Sequence, residues 1–194
     1  MPRKPSRPST ALWLGAAAVA LVIVALASFA SASFSDGSRG GGHVVLATNV
    51  DGLEIATVDR VVDGDTIVVT RRGSSNSETV RLVGVDAPES VDPDRPVGCF
   101  GPEASGFLTE LLTDGMTVYL EADPAQGDTD RYGRLLRYIY EFTADGPGES
   151  VNLLLLRDGY AEAYRGGHQR QSEYDDAERE AEAAGVGLWG ACAR

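Results

Sequence analysis

The sequence predicts an α+β fold, mainly β: a five-stranded Greek-key barrel of the OB type with about three packed helices, preceded by an N-terminal hydrophobic helix. Three observations predict it. Short β-branched runs, such as T-I-V-V-T-R and V-R-L-V-G-V, are separated by turns rich in Gly, Asp and Ser. Amphipathic helical periodicity appears only further along the chain, in separate blocks. The resulting order, β-β-β-α-β-β-α-α with short curled strands, suits a small barrel with helices packed on it.

Residues 1–32 open with Arg3, Lys4 and Arg7, followed by Ala11 to Ala30, an uncharged and mostly apolar run. Its length reaches about one bilayer crossing, roughly 20 residues. Ala30-Ser31-Ala32 also fits a signal-peptidase site. Two readings therefore stay open, a cleaved signal peptide or a membrane anchor through residues 11–30. A run longer than the usual signal core of about 7–15 residues tilts the balance towards the anchor. In both readings the cationic start stays inside. The remainder is expected at the extracellular face of the cell membrane or secreted. Residues 33–52 are Gly/Ser-rich at their start and read as a flexible linker, with His43 to Thr48 a candidate extra strand. Residues 53–194 are enough for one domain with an ordinary core.

Within that domain Ile55 to Val62 alternates as a strand and runs into the tight turn Asp63-Gly64-Asp65. Two apolar runs then flank R-R-G-S-S-N-S-E, and predict a hairpin of Thr66 to Arg71 with Val80 to Val85. A turn centred between Ser75 and Asn76 sets Asp65 opposite Asp86, Ile67 opposite Gly84 and Val69 opposite Leu82. Directly opposed residues share a face. Two carboxylates side by side repel unless a cation lies between them, and carboxylate oxygens suit hard cations such as Ca²⁺. Glu89 adds a third acid just past Pro88. Ser90 to Phe100 is a loop.

Gly101-Pro102-Glu103 starts a helix with Pro in its first turn. Ala104, Phe107, Leu108 and Leu111 form its apolar face, and Gly115 is expected to end it. Strands Thr117 to Glu121 and Gly133 to Phe142 follow, around the polar loop Ala125 to Arg131. Ser150 caps a short helix, Val151 to Asp158, whose Leu153 to Leu156 is apolar all round and so buried. Ala161 to Tyr164 is extended. Ser172 with Asp175 reads as a capping box for the last helix, with Tyr174, Ala177, Ala181 and Ala184 on its inner face. The acids from Asp175 to Glu182 form its solvated face, and Gly185 stops it.

The formal charge is −12 and Lys4 is the only lysine. An acidic surface disfavours a protein that coats nucleic acid by bulk attraction. It leaves room for a few arginines that grip a phosphate through a bidentate fork. Two cysteines, Cys99 and Cys192, and two histidines, His43 and His168, occur without any C-x-x-C. An export signal favours a Cys99–Cys192 disulfide over two free thiols, and over a zinc site that would need all four to converge.

The stretches D-G-D-T (Asp63 to Thr66), V-R-L-V-G-V-D-A-P-E (Val80 to Glu89), G-P-E-A-S (Gly101 to Ser105), D-R-Y-G-R (Asp130 to Arg134), V-N-L-L-L-L-R-D-G (Val151 to Gly159) and G-L-W (Gly187 to Trp189) occur together in one order. In these motifs the chain resembles the thermonuclease, or staphylococcal-nuclease-like, family. The resemblance implies an OB barrel and a Ca²⁺-dependent endonuclease acting on DNA and RNA and leaving 3′-phosphates. It implies that Asp65 and Asp86 hold the metal with the backbone carbonyl of Ala87, and that Arg81, Glu89 and Arg134 are catalytic. Tyr132 and Tyr164 are candidates to stack on a base or bond a phosphate. Ideal alternation places Arg81 on the face opposite Asp86, so the strand must bulge or curl for them to meet, and Gly84 is the place. A monomer is expected. The alternative reading is a non-catalytic OB module that binds nucleic acid. Such relatives lose one of the Arg/Glu set, whereas all three stand here.

Overall fold

The computed structural model describes residues 52–192. The hydrophobic segment 11–30, the linker and the candidate strand at 43–48 lie outside them. Among the described residues no helix is long and apolar enough to cross a membrane.

Strands β1 (Glu54–Asp63), β2 (Thr66–Arg71), β3 (Ser77–Leu82), β5 (Thr117–Ala122) and β6 (Leu135–Thr143) form a closed barrel in the order β3-β2-β1-β5-β6. Closure is parallel: Val80, Arg81 and Leu82 of β3 pair with Leu135, Leu136 and Arg137 of β6. Every other barrel pairing is antiparallel. The interior is filled by Val58, Ile67, Val69, Val80, Leu120 and Ile139, all essentially buried. Each such side chain contributes about 1.5–3 kcal/mol by leaving water. Helix α1 (Gly101–Leu111) seats Ala104 and Leu108 against this core, as its spacing demands. It stops at Leu111; Gly115 lies beyond, in the turn into β5, where its N–H reaches the Val58 carbonyl at 2.8 Å.

The β2–β3 hairpin differs in register from the expectation. Thr66 faces Arg81, Ile67 faces Val80 and Val69 faces Glu78. The cause is the turn. Gly73 takes a φ of 85° and the Ser74 N–H bonds the Arg71 carbonyl, so the chain reverses before Ser75. The offset is even, so each side chain keeps its face. Asp65 and Asp86 are therefore not a cross-strand pair. Across the same hairpin Glu78 pairs with Arg71 at 2.6 Å.

β3 ends at Leu82. Gly84, with φ of 76°, turns the chain out of the barrel, and β4 (Val85–Asp86) pairs instead with β8 (Glu162–Ala163). A side chain at Gly84 would meet the His168 ring at 2.6 Å and Tyr174 at 2.7 Å, so the position also needs the absence of a Cβ.

Helix α2 (Val151–Arg157) is capped by Ser150, whose hydroxyl accepts the Leu153 N–H, and Leu154 to Leu156 are buried. Its Asn152 is fully buried; Oδ1 accepts the Ile139 N–H at 2.9 Å and Nδ2 donates to the Val83 carbonyl at 2.9 Å. One amide thus ties α2, β6 and the Gly84 bend together. β7 (Gly146–Ser150) hydrogen-bonds along β6 in a Gly- and Pro-rich stretch that reads as turn; pairing to a neighbour overrides weak propensity there.

Helix α3 (Gln171–Ala184) begins at Arg170, with no side-chain cap, so Ser172 is not the cap residue. Tertiary contacts set the start: the Arg170 guanidinium lies over the rings of Tyr138 and Tyr140 and pairs with Glu121 at 3.0 Å. Glu178, expected in solvent, is buried. It accepts the Ala163 N–H at 2.8 Å and pairs with Arg165, which holds β8 on α3. Ala184, expected on the inner face, is exposed, while Gly185 ends the helix in the left-handed conformation. Helix α4 (Leu188–Ala191) buries Leu188 and leads to Cys192, which is disulfide-bonded to Cys99.

Asn152→Ala strands the Ile139 N–H and the Val83 carbonyl in the core, at about 1–3 kcal/mol per group. Urea unfolding is expected to show a lower midpoint with an unchanged slope. An unchanged midpoint contradicts the role given to this amide.

Candidate active site

The turn Asp63-Gly64-Asp65 is wedged into place. A Cβ on Gly64 would lie 2.7 Å from the Ala87 side chain and 2.9 Å from that of Ala104, so only Gly lets the turn sit this close to α1 and to the segment after β4. Asp65 is therefore buried. Its Oδ1 accepts the Thr66 hydroxyl at 2.8 Å, and its Oδ2 accepts the Ala87 N–H at 3.0 Å. The same Oδ2 lies 3.0 Å from Nη2 of Arg81, and that nitrogen also lies 3.0 Å from Oδ1 of the exposed Asp86. The other arm of the guanidinium, Nη1, donates to the carbonyls of Leu82 (3.0 Å) and Val85 (2.7 Å), across the Gly84 bend. The bend is what brings Arg81 and Asp86 to one side. Burial pushes the Asp65 carboxyl above the usual range despite the opposing pull of Arg81.

Glu89 is gripped at Oε1 by the N–H groups of Ser90, Val91 and Asp92, at 3.0, 3.0 and 2.9 Å. Its Oε2 faces the exposed Arg95 at 3.3 Å. The backbone donors, Val91 first, hold this carboxyl below its ordinary value, so it stays ionised. Asp63 lies beside it, accepting the Ser90 hydroxyl and the Gly64 N–H. Burial pushes its carboxyl up, with Asp65 and Glu89 adding like charge.

Arg134 stands on the loop before β6. Its Nε donates to Asp130 Oδ2 at 2.7 Å, and Asp130 Oδ1 takes the N–H groups of Tyr132 and Arg134. Burial pushes Asp130 up, but the donations from Arg134 and Tyr132 prevail and hold it low. The loop is fastened to the barrel by Arg137, buried between Glu54 at 2.9 Å and Asp128 at 2.6 Å. The Tyr132 ring is exposed and carries the guanidiniums of Arg131 and Arg134 at 4.8 and 5.4 Å from its centroid.

These groups line two adjoining clefts. One, of about 850 Å³, is walled by Asp65, Asp86, Ala87 and Glu89. The other, of about 540 Å³, is walled by Gly84, Gln126, Tyr164 and His168. Arg81, Tyr132 and Arg134 line both. The structure thus brings Arg81, Glu89, Arg134, Asp65, Asp86, Ala87 and Tyr132 to one cleft and sets Tyr164 in the other. Cys99 and Cys192 stand in the wall of the first. Sequence reasoning passed over Asp63, Arg95 and Asp130. The first and last sit inside the quoted motifs D-G-D-T and D-R-Y-G-R; Arg95 lies in the loop and carries no local signal.

Among the described residues no group of three or more His, Cys, Asp or Glu side chains could hold a metal ion. The candidate donor set is two carboxylates with a backbone carbonyl. It fits a hard cation on two counts. Oδ2 of Asp65 and Oδ1 of Asp86 already converge on one positive nitrogen, and Asp65 is buried, so its charge is poorly met by solvent.

A barrel carrying guanidiniums and carboxylates around a shared cleft suits a hydrolase of phosphodiesters, and the comparisons with known proteins identify that class as a nuclease. The family model described as staphylococcal nuclease homologue matches residues 79–191. The thermonuclease of Staphylococcus hyicus is 37% identical over 134 residues, covering 68% of this chain and 73% of that protein. The thermonuclease of Staphylococcus intermedius is 37% identical over 145 residues, covering 74% and 80%. The SPbeta prophage-derived endonuclease YokF of Bacillus subtilis is 38% identical over 137 residues, covering 69% of this chain and 43% of that protein. The chain belongs to the staphylococcal nuclease family.

The raised proton affinity of Asp65 has a sign. Its folded pKa lies above the unfolded value, so the charged form destabilises the fold at neutral pH, and stability is regained as pH falls through the folded pKa. Asp65→Asn is expected to raise the thermal midpoint of chelator-treated protein at pH 7 and to abolish any further rise on adding calcium. A lowered midpoint contradicts this.

Proposed function

We propose that this nuclease is a calcium-dependent endonuclease that hydrolyses DNA and RNA as a monomer, exported or tethered through residues 11–30. The observation that carries the reading is the placement of one Arg81 nitrogen 3.0 Å from a carboxylate oxygen of both Asp65 and Asp86. That arrangement puts a phosphate-gripping cation against a cation-binding pair of acids. The Cys99–Cys192 disulfide supports export to an oxidising compartment.

Asp65, Asp86 and the carbonyl of Ala87 would hold the calcium ion. When bound, calcium supplies positive charge against the phosphoryl oxygens and helps to orient water. Arg81 and Arg134 grip the scissile phosphate and oppose the charge that grows on its oxygens. Arg134 is fixed for this by Asp130. Glu89 has Oε1 saturated by backbone donors, so Oε2, which meets the exposed Arg95 at 3.3 Å, is the oxygen left to take a water in that residue's place. Its lowered proton affinity makes it a better orienter of the attacking water than a store for its proton. Tyr132 and Tyr164, both exposed in the wall of the second cleft, are the rings on which a base would stack without regard to its identity. The shared wall formed by Arg81, Tyr132 and Arg134 leads a strand from one cleft into the other. The net charge of −12 adds no bulk attraction, so affinity rests on these few contacts.

The test is hydrolysis of single-stranded DNA and of RNA with calcium and with chelator. Activity is expected with calcium alone, with 3′-phosphate ends on the products. Glu89→Gln and Arg134→Ala should each lower kcat about 10²–10³-fold. Unaltered activity in both variants removes these residues from the site, and tight binding without turnover turns the reading towards a binding module.

A further inference from the structure

We propose that the Cys99–Cys192 disulfide is a positioning device for Glu89, holding the Gly98–Gly101 segment against the backbone from which that carboxylate projects. The proposal rests on the reading of Glu89 as the residue that faces the attacking water.

Gly98 and Gly101 pack backbone to backbone on Pro88 and Glu89. The Gly98 N–H donates to the Glu89 carbonyl at 2.7 Å, and the Gly101 N–H returns to the Gly98 carbonyl at 3.1 Å. A Cβ on Gly101 would lie 2.5 Å from the Glu89 carbonyl oxygen, and one on Gly98 would lie 2.9 Å from the Pro88 side chain. Between them Phe100 takes φ of 69°, the only positive φ outside glycine among the described residues. A phenylalanine adopts that conformation when its surroundings impose it. Its ring leans on Tyr160, 5.5 Å between centroids. Cys99 sits inside this strained segment, and its sulfur is bonded to Cys192.

The far end of the cross-link is firm. The Cys192 N–H bonds the Leu188 carbonyl at 3.0 Å, Leu188 is buried, and its own N–H bonds the Gly159 carbonyl at 2.8 Å. The loop that leads from Glu89 to the near end is less supported, with its Val91 and Val97 exposed. Both cysteines line the cleft that holds Glu89. Arg81 and the Arg134 loop are fixed independently, by β3 and by Arg137. Opening the cross-link therefore loosens the water-facing group and leaves the phosphate grip in place.

The experiment uses the full chain with a dithiol reductant. Each cysteine sulfur gains one electron and one proton as the S–S bond breaks, and the reductant closes to its own disulfide. Circular dichroism at the assay temperature establishes that the reduced protein remains folded. Reduction is expected to lower kcat on single-stranded DNA about tenfold, with KM within about twofold, because misplacement of a positioned group acts on the chemical step. In the Glu89→Gln background, reduction is expected to change kcat by less than about twofold, since the group it displaces is already gone. An equal loss in both backgrounds, or an undiminished kcat in reduced wild type, overturns the proposal. A Glu89→Gln variant as active as wild type overturns it differently, by removing the role of Glu89 itself. Should the reduced chain unfold, Gly98→Ala tests the same seam with the cross-link intact. A lowered kcat at constant KM supports the proposal, and an unchanged kcat overturns it.

Discussion

The guanidinium of Arg81 holds the site together through two arms with different tasks. Nη1 binds the carbonyls of Leu82 and Val85 and so clamps the bend at Gly84. Nη2 reaches Asp65, from the β1–β2 turn, and Asp86, from the strand beyond the bend. A planar fork with five fixed donors makes this possible, where a lysine ammonium would satisfy one partner set at a time. The bend itself depends on a glycine with a positive φ packed against His168 and Tyr174, and on Asn152 holding the Val83 carbonyl. Barrel closure, bend and acid pair form one connected arrangement, and Arg81 touches each part of it.

That arrangement is made at the expense of stability. Asp65 and Asp63 are carboxylates pushed towards the neutral form by burial, side by side with an ionised Glu89. Nothing in folding alone favours such a cluster; it is the kind of local conflict that marks a functional site. The rest of the molecule is conventional: an apolar barrel interior, helices seated on it, and a disulfide that constrains the unfolded chain by about 4–5 kcal/mol on the loop-entropy view. Charge follows the same division. The chain is acidic as a whole, yet Arg81, Arg131 and Arg134 gather at one wall, beside Asp130.

Much of this was legible in the chain. Val80 to Glu89 and Asp63 to Thr66 could be recognised as the acid-bearing elements, and the alternation rule pointed to a break at Gly84. The burial of Leu154 to Leu156 and the Ser150 cap follow from local chemistry alone, whereas Leu153, expected to be buried with them, is only half-buried. The hairpin register did not, because Gly73 rather than Ser75-Asn76 sets the turn, and either choice leaves the hydrophobic face intact. Parallel closure of β3 on β6 depends on a partner distant in sequence, which no local pattern encodes, whereas β7 pairs with β6 just before it, in a hairpin that its Gly- and Pro-rich composition masks. Glu178 looked like surface because its burial is made acceptable by Arg165 and the Ala163 N–H, contacts that only the fold supplies. Arg95 could not be singled out among loop residues before Glu89 was placed beside it.

The central claim is that Asp65 and Asp86 act as one cation site assembled by the bend. Calorimetric titration of calcium into wild type, Asp65→Asn, Asp86→Asn and the double variant tests it most directly. Shared ligation predicts strong non-additivity, with either single change removing most of the affinity and the second adding little. Wild-type affinity in either single variant, or losses that simply add, would contradict the account.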